Sequence, residues 1–285
     1  MAGMSVAITA DEVTIWSRYV QETCGIVLDQ SKAYLLETRL GGLVREAGAT
    51  GFSDLFYKLR SDVSQTLRGK VVDAITTNET SFFRDTAPFE LLRHKLLPEL
   101  IDRRSKGVRP ISIRIWSAAC STGQEVYTIG IILKELLGNF NGYDVRILGT
   151  DISNRAIAAA SRGYYSDLEM GRGLAPIAAQ KHFTREANEW KIRDEIRALA
   201  SFRKMNLLEP FSFPAPFDII LCRNVAIYFA EADRARLFRN FARCLARDGC
   251  LLIGSTESLT GLCPEFVPQR YLRTVFYQLQ STPSR

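Results

Sequence analysis

The sequence predicts an α/β fold, an open and mostly parallel sheet wrapped by helices, with an all-α domain in front of it. Three features point there. The first seventy-five or so residues carry helical periodicity without strand signals, helix and strand patterns alternate from about residue 87 onward, and a run of small residues follows the first strand directly. With 285 residues, 46% hydrophobic and 24% charged, the chain is long enough for one large domain or two and can bury a sizeable core.

The helical part opens on Thr9-Ala10-Asp11-Glu12, the pattern of a capping box, behind which Val13, Trp16 and Val20 recur at helical spacing. Ser31 is expected to cap a second helix, whose stripe is Leu36, Leu40, Leu43 and Val44 and whose charges are Lys32, Arg39 and Arg45. Ser53 is expected to cap a third with Leu55, Phe56 and Leu59, and a fourth runs through Leu67, Val71 and Ile75. The expectation is a small helical bundle with a basic aspect over residues 1–77 and no catalytic constellation of its own.

The sheet part, residues 78–285, begins with a helix over Pro88 to Arg104. Strand "RPISIRIW", helix "EVYTIGIILKELL", strand "DVRILGTD" and helix "SNRAIAAASRG" come next. After them "ASFRKMNL" and "FDIILCRN" read as strands, Glu231 to Leu245 as a helix, and "GCLLIGST" and "RTVFYQLQ" as the last two strands. Seven elements of this kind make an open sheet whose ligands bind at the C-terminal ends of the strands. Residues 164–197 break the alternation, and "HFTREANEWKIRDEI" reads as a small hairpin-like insertion.

Composition excludes several classes. The N-terminus lacks the basic start and continuous apolar run of a signal peptide, and the longest apolar run, Ile129 to Leu133, ends at Lys134, so a cytosolic protein is expected. Six scattered cysteines without a Cys-x-x-Cys pair are then free, partly buried thiols. His94 and His182 have no carboxylate-histidine spacing around them, which argues against a histidine metal site or a Ser-His-Asp triad and for structural or surface roles. Gly69-Lys70 lacks the rest of a Walker sequence, and Gly171-Arg172-Gly173 lies in the insertion rather than after the first strand. The net charge of +6 points to an acidic partner, but its basic residues are dispersed and no nucleic-acid-binding pattern is present.

The first strand leads into "WSAACSTGQE", whose small residues let backbone amides approach a ligand, and the second ends in "GTD", which places Asp151 at the sheet edge. A carboxylate there can accept the two hydroxyl protons of a ribose, although a helix-capping role for Asp151 is open at this point. The stretch "TTNETSFFRD" fits a glycosylation sequon at Asn78, which has no use in the cytosol.

The motifs "NETSFFRD", "IWSAACSTGQEVYTI", "GTDIS", "MNLLEPF", "FDIILCRNVAIYF" and "GCLLIGSTES", in that order and spacing, resemble the CheR-type chemotaxis receptor methyltransferases. These are S-adenosylmethionine-dependent protein-glutamate O-methyltransferases. The resemblance covers nearly the whole chain. It implies a class I methyltransferase domain, Rossmann-like with a seven-stranded mixed sheet, an inserted β-subdomain and an all-α domain in front. It also implies site residues: Asn78, Thr80 and Arg84 lining the cofactor site, Glu125 near the amino-acid or ribose part, Asp151 on the ribose, and Asn206 and Leu207 on the adenine. Arg223 and Asn224 would close the site from the fourth strand, Tyr228 would stand by the transferred methyl, and no metal would be involved. Packing roles stay open for Tyr228, Phe229, Phe82 and Phe83, a turn-forming role for Asn206, and a cap or salt bridge for Arg84.

The chemistry is consistent with these residue types. A glutamate acceptor is ionised near neutral pH, so transfer from a sulfonium needs alignment rather than a general base. Arg84 could orient the carboxylate, with no covalent role. Two departures from the family pattern stand out. The run Gly123-Gln124-Glu125-Val126 keeps one acidic residue where many members have two and a proline, and "TREANEWKIRDE" lacks the glycine-rich turn of members that hold a receptor's C-terminal pentapeptide. The expected partner is the cytoplasmic helical domain of chemoreceptors without that tether, met through the basic helices by a monomer, with no nucleic acid and no membrane insertion. A methyltransferase acting on RNA or another protein, and a non-enzymatic S-adenosylmethionine sensor, are the rival readings.

Overall fold

The structure, a computed structural model, describes residues 7–280; the chain's first six and last five residues, and any reading that falls on them, lie outside it. The helical domain starts with α1 (Ala10–Cys24), where Thr9 and Glu12 form the expected reciprocal capping box. Two expected caps are corrected. Asp29, not Ser31, starts the next segment, accepting from the Ser31 amide at 2.9 Å, and a 3-10 turn (Gln30–Lys32) leads into α2 (Ala33–Glu46). Ser53 lies inside the first turn of α3 (Phe52–Ser61), and its amide and hydroxyl both donate to Glu12 at 2.8 Å, so a contact between helices has taken the group that would have capped locally. With α4 (Thr66–Ile75) these helices close over Trp16, which is fully buried among Leu36, Leu40, Phe52 and Leu55 and donates its indole N–H to the Phe52 carbonyl. Truncating such a residue costs about 3–5 kcal/mol.

The basic aspect of this domain also needs correction. Residues 1–77 hold eight Lys and Arg against nine Asp and Glu, so the excess of positive charge belongs to the sheet domain. Local pairs such as Lys58 with Asp54 and Lys70 with Glu46 offset the cations on its outer faces.

α5 (Ala87–Leu91) passes through a π turn (Leu92–Leu96) into α6 (Leu97–Ser105), together forming the single helix expected there. The elements β1 (Ile111–Ala118), α7 (Gln124–Leu137), β2 (Tyr143–Asp151) and α8 (Asn154–Arg162) follow in the expected order. The insertion holds β3 (Tyr164–Tyr165), α9 (Asp167–Met170), α10 (Pro176–His182), β4 (Phe183–Glu186), β5 (Glu189–Ile192) and α11 (Asp194–Arg197). The chain then completes the sheet with β6 (Ala200–Lys204), β7 (Phe217–Cys222), α12 (Glu231–Cys244), β8 (Leu245–Ile253), β9 (Phe266–Tyr271) and β10 (Thr274–Leu279).

The large sheet has the order β6-β2-β1-β7-β8-β10-β9, parallel from β6 to β8, with β10 and β9 each antiparallel to its neighbour. Its central parallel strands β1, β7 and β8 read as apolar runs because helices cover both faces, whereas the edge strand β6 is largely polar. The chain winds outward from β1 first through β2 and then through β7, so the C-terminal ends of β1, β2 and β7 surround the topological switch point. Strand β9 had no signal of its own: Pro268 and exposed polar neighbours argue against a strand, and only its position at the sheet edge tolerates them. The insertion forms its own antiparallel sheet, β3-β5-β4, with the β4–β5 hairpin falling inside the expected segment. The hairpin packs through Phe183 and Ile192 onto Phe82 and Tyr127. Gly173 sits within this contact at φ +86, where a Cβ would stand 2.0 Å from the Phe82 carbonyl oxygen.

Candidate functional site

The switch point opens into a cavity of about 200 Å³ roofed by the helical domain. All the residues singled out from the sequence line it: Asn78, Thr80 and Arg84 from the interdomain loop, Glu125 from α7, Asp151 from β2, Asn206 and Leu207 after β6, and Arg223, Asn224 and Tyr228 after β7.

The floor is the turn after β1. Ala119, Ser121 and Gly123 all take left-handed backbone conformations there. At Gly123, φ +94, a Cβ would meet that of Ala160 at 2.9 Å, so glycine lets the start of α7 lie against α8. Ala119 and Ser121 have no such freedom, and each left-handed residue costs about 1–2 kcal/mol, which concentrates strain at the site. The turn is held by the Ser121 amide, which donates to Asp151 Oδ2 at 2.9 Å, and by the Ser121 hydroxyl, which donates to the Asn78 carbonyl.

Asp151 is 7% exposed. Its other carboxylate oxygen accepts from the Ser153 amide at 2.9 Å. Burial raises its carboxyl above the ordinary carboxylate range, against the pull of these amides. Ser153 is the residue that caps α8, accepting from the Ala156 amide while its hydroxyl donates to Asp73 of α4 at 2.6 Å. The cap is thus filled by a neighbour, and Asp151 is left as a lining residue of the cavity.

Glu125 and Arg223 form a buried ion pair beside the cavity. Glu125 Oε1 accepts from the Ser117 hydroxyl and Oε2 from Arg223 Nη1, both at 2.8 Å. Arg223 Nη2 donates to the Arg84 carbonyl at 2.8 Å and to Asp85 at 3.0 Å, and the guanidinium lies over Phe89. One side chain therefore ties the end of β7 to α7 and to the interdomain loop. The Arg84 guanidinium stays at the cavity, half-buried, and donates to the Glu79 carbonyl at 2.9 Å. Phe82 anchors the same loop, edge-on to Tyr165 and Phe183, so the packing role left open for the phenylalanines is its role.

Asn206 is in part a turn former, since its Oδ1 accepts from the Leu208 amide. Its Nδ2 donates to the Thr23 carbonyl at the end of α1, which joins the two domains. Tyr228 is no core aromatic, being 42% exposed at the cavity mouth. Its carbonyl accepts from the Val27 amide, and Phe229 bridges to Ile26 and covers Gly25.

Sequence reasoning missed the contribution of the helical domain: Ile26, Val27, Lys32 and Arg39 all line the cavity. Nothing marks a loop Ile-Val pair as a cavity wall before the domains are docked. Ser121 could have been found, since it lies in the small-residue run. All six cysteines are free and buried. His182 is buried against Glu135 at 3.0 Å and His94 is exposed beside Glu90, as structural and surface residues. Among the described residues no helix is long and apolar enough to cross a membrane, and no group of three or more His, Cys, Asp or Glu could hold a metal.

A buried carboxylate beside amide-lined turns, apolar walls from Met205, Leu207 and Phe229, and a polar loop over the opening together fit a nucleoside with a charged tail. Residues 78–270 match the family model described as CheR methyltransferase, SAM binding domain, and residues 11–76 match CheR methyltransferase, all-alpha domain. The chain is 39% identical to a chemotaxis protein methyltransferase of Vibrio parahaemolyticus over 280 residues, 97% of this chain and 99% of that one. It is 39% identical to chemotaxis protein methyltransferase 1 of Pseudomonas aeruginosa over 249 residues, 86% of this chain and 89% of that one.

Proposed function

The chain belongs to the CheR methyltransferase family, and on that premise we propose that it esterifies glutamate side chains on the cytoplasmic helices of chemoreceptors during chemotactic adaptation. It is an S-adenosylmethionine-dependent methyltransferase, and the cavity between its domains is the candidate cofactor site. The observation that carries the substrate reading is the lining of that cavity, where Lys32, Arg39 and Arg84 occur together with Tyr228. Arg39 is held by the Ile75 carbonyl and the Thr77 hydroxyl, Lys32 by Asp29 and Arg84 by the Glu79 carbonyl, and three cations so placed in the lining that also holds Tyr228 suit an incoming carboxylate.

When bound, S-adenosylmethionine supplies an activated methyl on a sulfonium. The chain's part is to bind and align. Asp151 accepts the ribose hydroxyls, and Leu207 with the backbone around Asn206 meets the adenine. Asn78 and Thr80 close over the polar tail, and Glu125, Arg223 and Asn224 fix the far wall. Arg84 orients the acceptor carboxylate, and Tyr228 bounds the position of the methyl. The acceptor is already ionised at neutral pH, so no residue need act as a base, and positioning of the reacting atoms at about 3–3.5 Å can supply several kcal/mol. Ile26 and Val27 of the roof exclude water.

The glycine-free β4–β5 turn supports an encounter without a receptor pentapeptide tether. The enzyme would act as a monomer in the cytoplasm, and its encounter with acidic receptor helices, drawn by the chain's net charge of +6, should weaken as salt rises. Incubation with methyl-labelled S-adenosylmethionine and a receptor cytoplasmic fragment tests the reading. Base-labile label on the receptor, decreasing with ionic strength, is expected. Cofactor binding without base-labile label would overturn the substrate, and competition by tRNA instead would favour an RNA methyltransferase.

A further inference from the structure

Glu257 stands outside the cavity lining, in the turn after β8, yet its carboxylate holds the backbone that carries Asn224 and Tyr228. Its Oε2 accepts the Gly254 amide at 2.6 Å and the Asn224 amide at 3.0 Å, so one oxygen joins the C-terminal ends of β8 and β7. Oε1 is buried without a partner at hydrogen-bond geometry. Burial raises the Glu257 carboxyl, against the pull of the Asn224, Gly254, Ile227 and Ala226 amides. The last two of these amides open the 3-10 turn Ala226–Tyr228. Backbone N–H groups from both sides thus converge on one carboxylate, an anion nest filled by the chain itself.

Two further features show that the clamp is built into the backbone. A Cβ at Gly254 would stand 2.5 Å from Glu257 Oε2 and 3.1 Å from the Asn224 nitrogen, so glycine makes the approach possible. Asn224 takes a left-handed conformation, φ 58, which asparagine tolerates better than other side-chain-bearing residues, so the residue type suits the turn that the clamp holds. From the opposite side the Val27 amide holds the Tyr228 carbonyl at 2.9 Å, so the turn is fixed between the sheet and the helical domain.

We infer that Glu257 is a positioning residue for methyl transfer: through Asn224 and the 226–228 turn it sets where Tyr228 stands at the cavity mouth, without itself touching cofactor or acceptor. The inference rests on the methyl-transfer reading above. The floor of the site, Asp151 and the 119–123 turn, makes no contact with Glu257, and Asn224 is one of several groups on the far wall, so loosening the clamp should lower turnover by much more than cofactor affinity.

The test uses the full chain with Glu257→Gln, which replaces one oxygen by a donor facing amides, and Gly254→Ala, which displaces the carboxylate without removing its charge. In both, kcat on a receptor fragment should fall about tenfold to a hundredfold, as for a misplacement near 1 Å, while S-adenosylhomocysteine affinity stays within about threefold. Amide hydrogen exchange at residues 224–228 should accelerate at least about tenfold with the rest of the sheet unchanged. Variants that keep kcat and exchange within about twofold of the parent would overturn the inference, as would parallel losses of affinity, kcat and melting temperature, the mark of a merely structural residue. A parent inactive on receptor fragments refutes the substrate reading instead, and the exchange data then decide the clamp on their own.

Discussion

Replacing Arg223 with methionine should destabilise the sheet domain by about 3 kcal/mol. The side chain of Arg223 is 3% exposed and that of Glu125 13%, which sets the pair among buried ion pairs rather than surface ones worth under about 1 kcal/mol. Removing one partner of such a pair costs about 3–5 kcal/mol because the other charge is left behind. Two details favour the lower end. Glu125 keeps the Ser117 hydroxyl, and Asp85, 40% exposed, regains water when its partner leaves. The methionine still packs against Phe89. Urea unfolding followed through Trp116, which sits in the sheet core, would report the shift in midpoint. Adding Glu125→Gln to Arg223→Met removes the stranded charge, so the double variant should lose less than the sum of the singles by more than about 1 kcal/mol. Additive effects, or a single loss below about 1 kcal/mol, would refute the claim that the pair is a buried strut. Turnover should fall as well, since Arg223 also holds the Arg84 carbonyl.

Other outcomes follow from single contacts. Asp151 has a raised carboxyl, so ionising it opposes folding: its contribution to stability is greatest below the ordinary carboxylate value near about 4 and is lost as pH rises through the raised value. Binding runs the other way, because only the carboxylate accepts hydroxyl protons; S-adenosylhomocysteine affinity measured against pH should fall on the acid side, and Asp151→Asn should flatten that limb. Gly173→Ala puts a Cβ against the Phe82 carbonyl and should lower stability by more than about 2 kcal/mol, visible as a lower melting temperature and weaker docking of the insertion. Ala187, at φ 52 in the β4–β5 turn, occupies a place that favours glycine, so Ala187→Gly should stabilise by up to about 1 kcal/mol, read as a rise in melting temperature; no gain would mean the turn is not strained.

The sheet was legible because β1, β7 and β8 carry apolar runs and helical periodicity flanks β1 and β2, and the small residues after β1 had a use only beside a ligand. Asp151 could be read from its position at a strand end, whereas Glu125 came only with the family resemblance. What stayed hidden depends on docking between segments far apart in the chain. Ser53 gave up capping to meet Glu12 from another helix, and β9 exists only because an edge tolerates Pro268. Arg223 reads in sequence as a cofactor contact, yet in the fold its donors go to Glu125, Asp85 and the Arg84 carbonyl. The charge of the helical domain was misread because Lys32, Arg39 and Arg45 were read as one basic group, whereas the nine acids that offset the domain's cations are scattered from Asp11 to Asp73.

Calorimetric titration with S-adenosylhomocysteine, on the parent chain and on Asp151→Ala, tests the cavity most directly. One binding site in the parent, weakened by at least about tenfold in the variant with its melting profile retained, is the expected result. Equal affinity in the two proteins, or no binding by the parent, would contradict the assignment of this cavity to the cofactor.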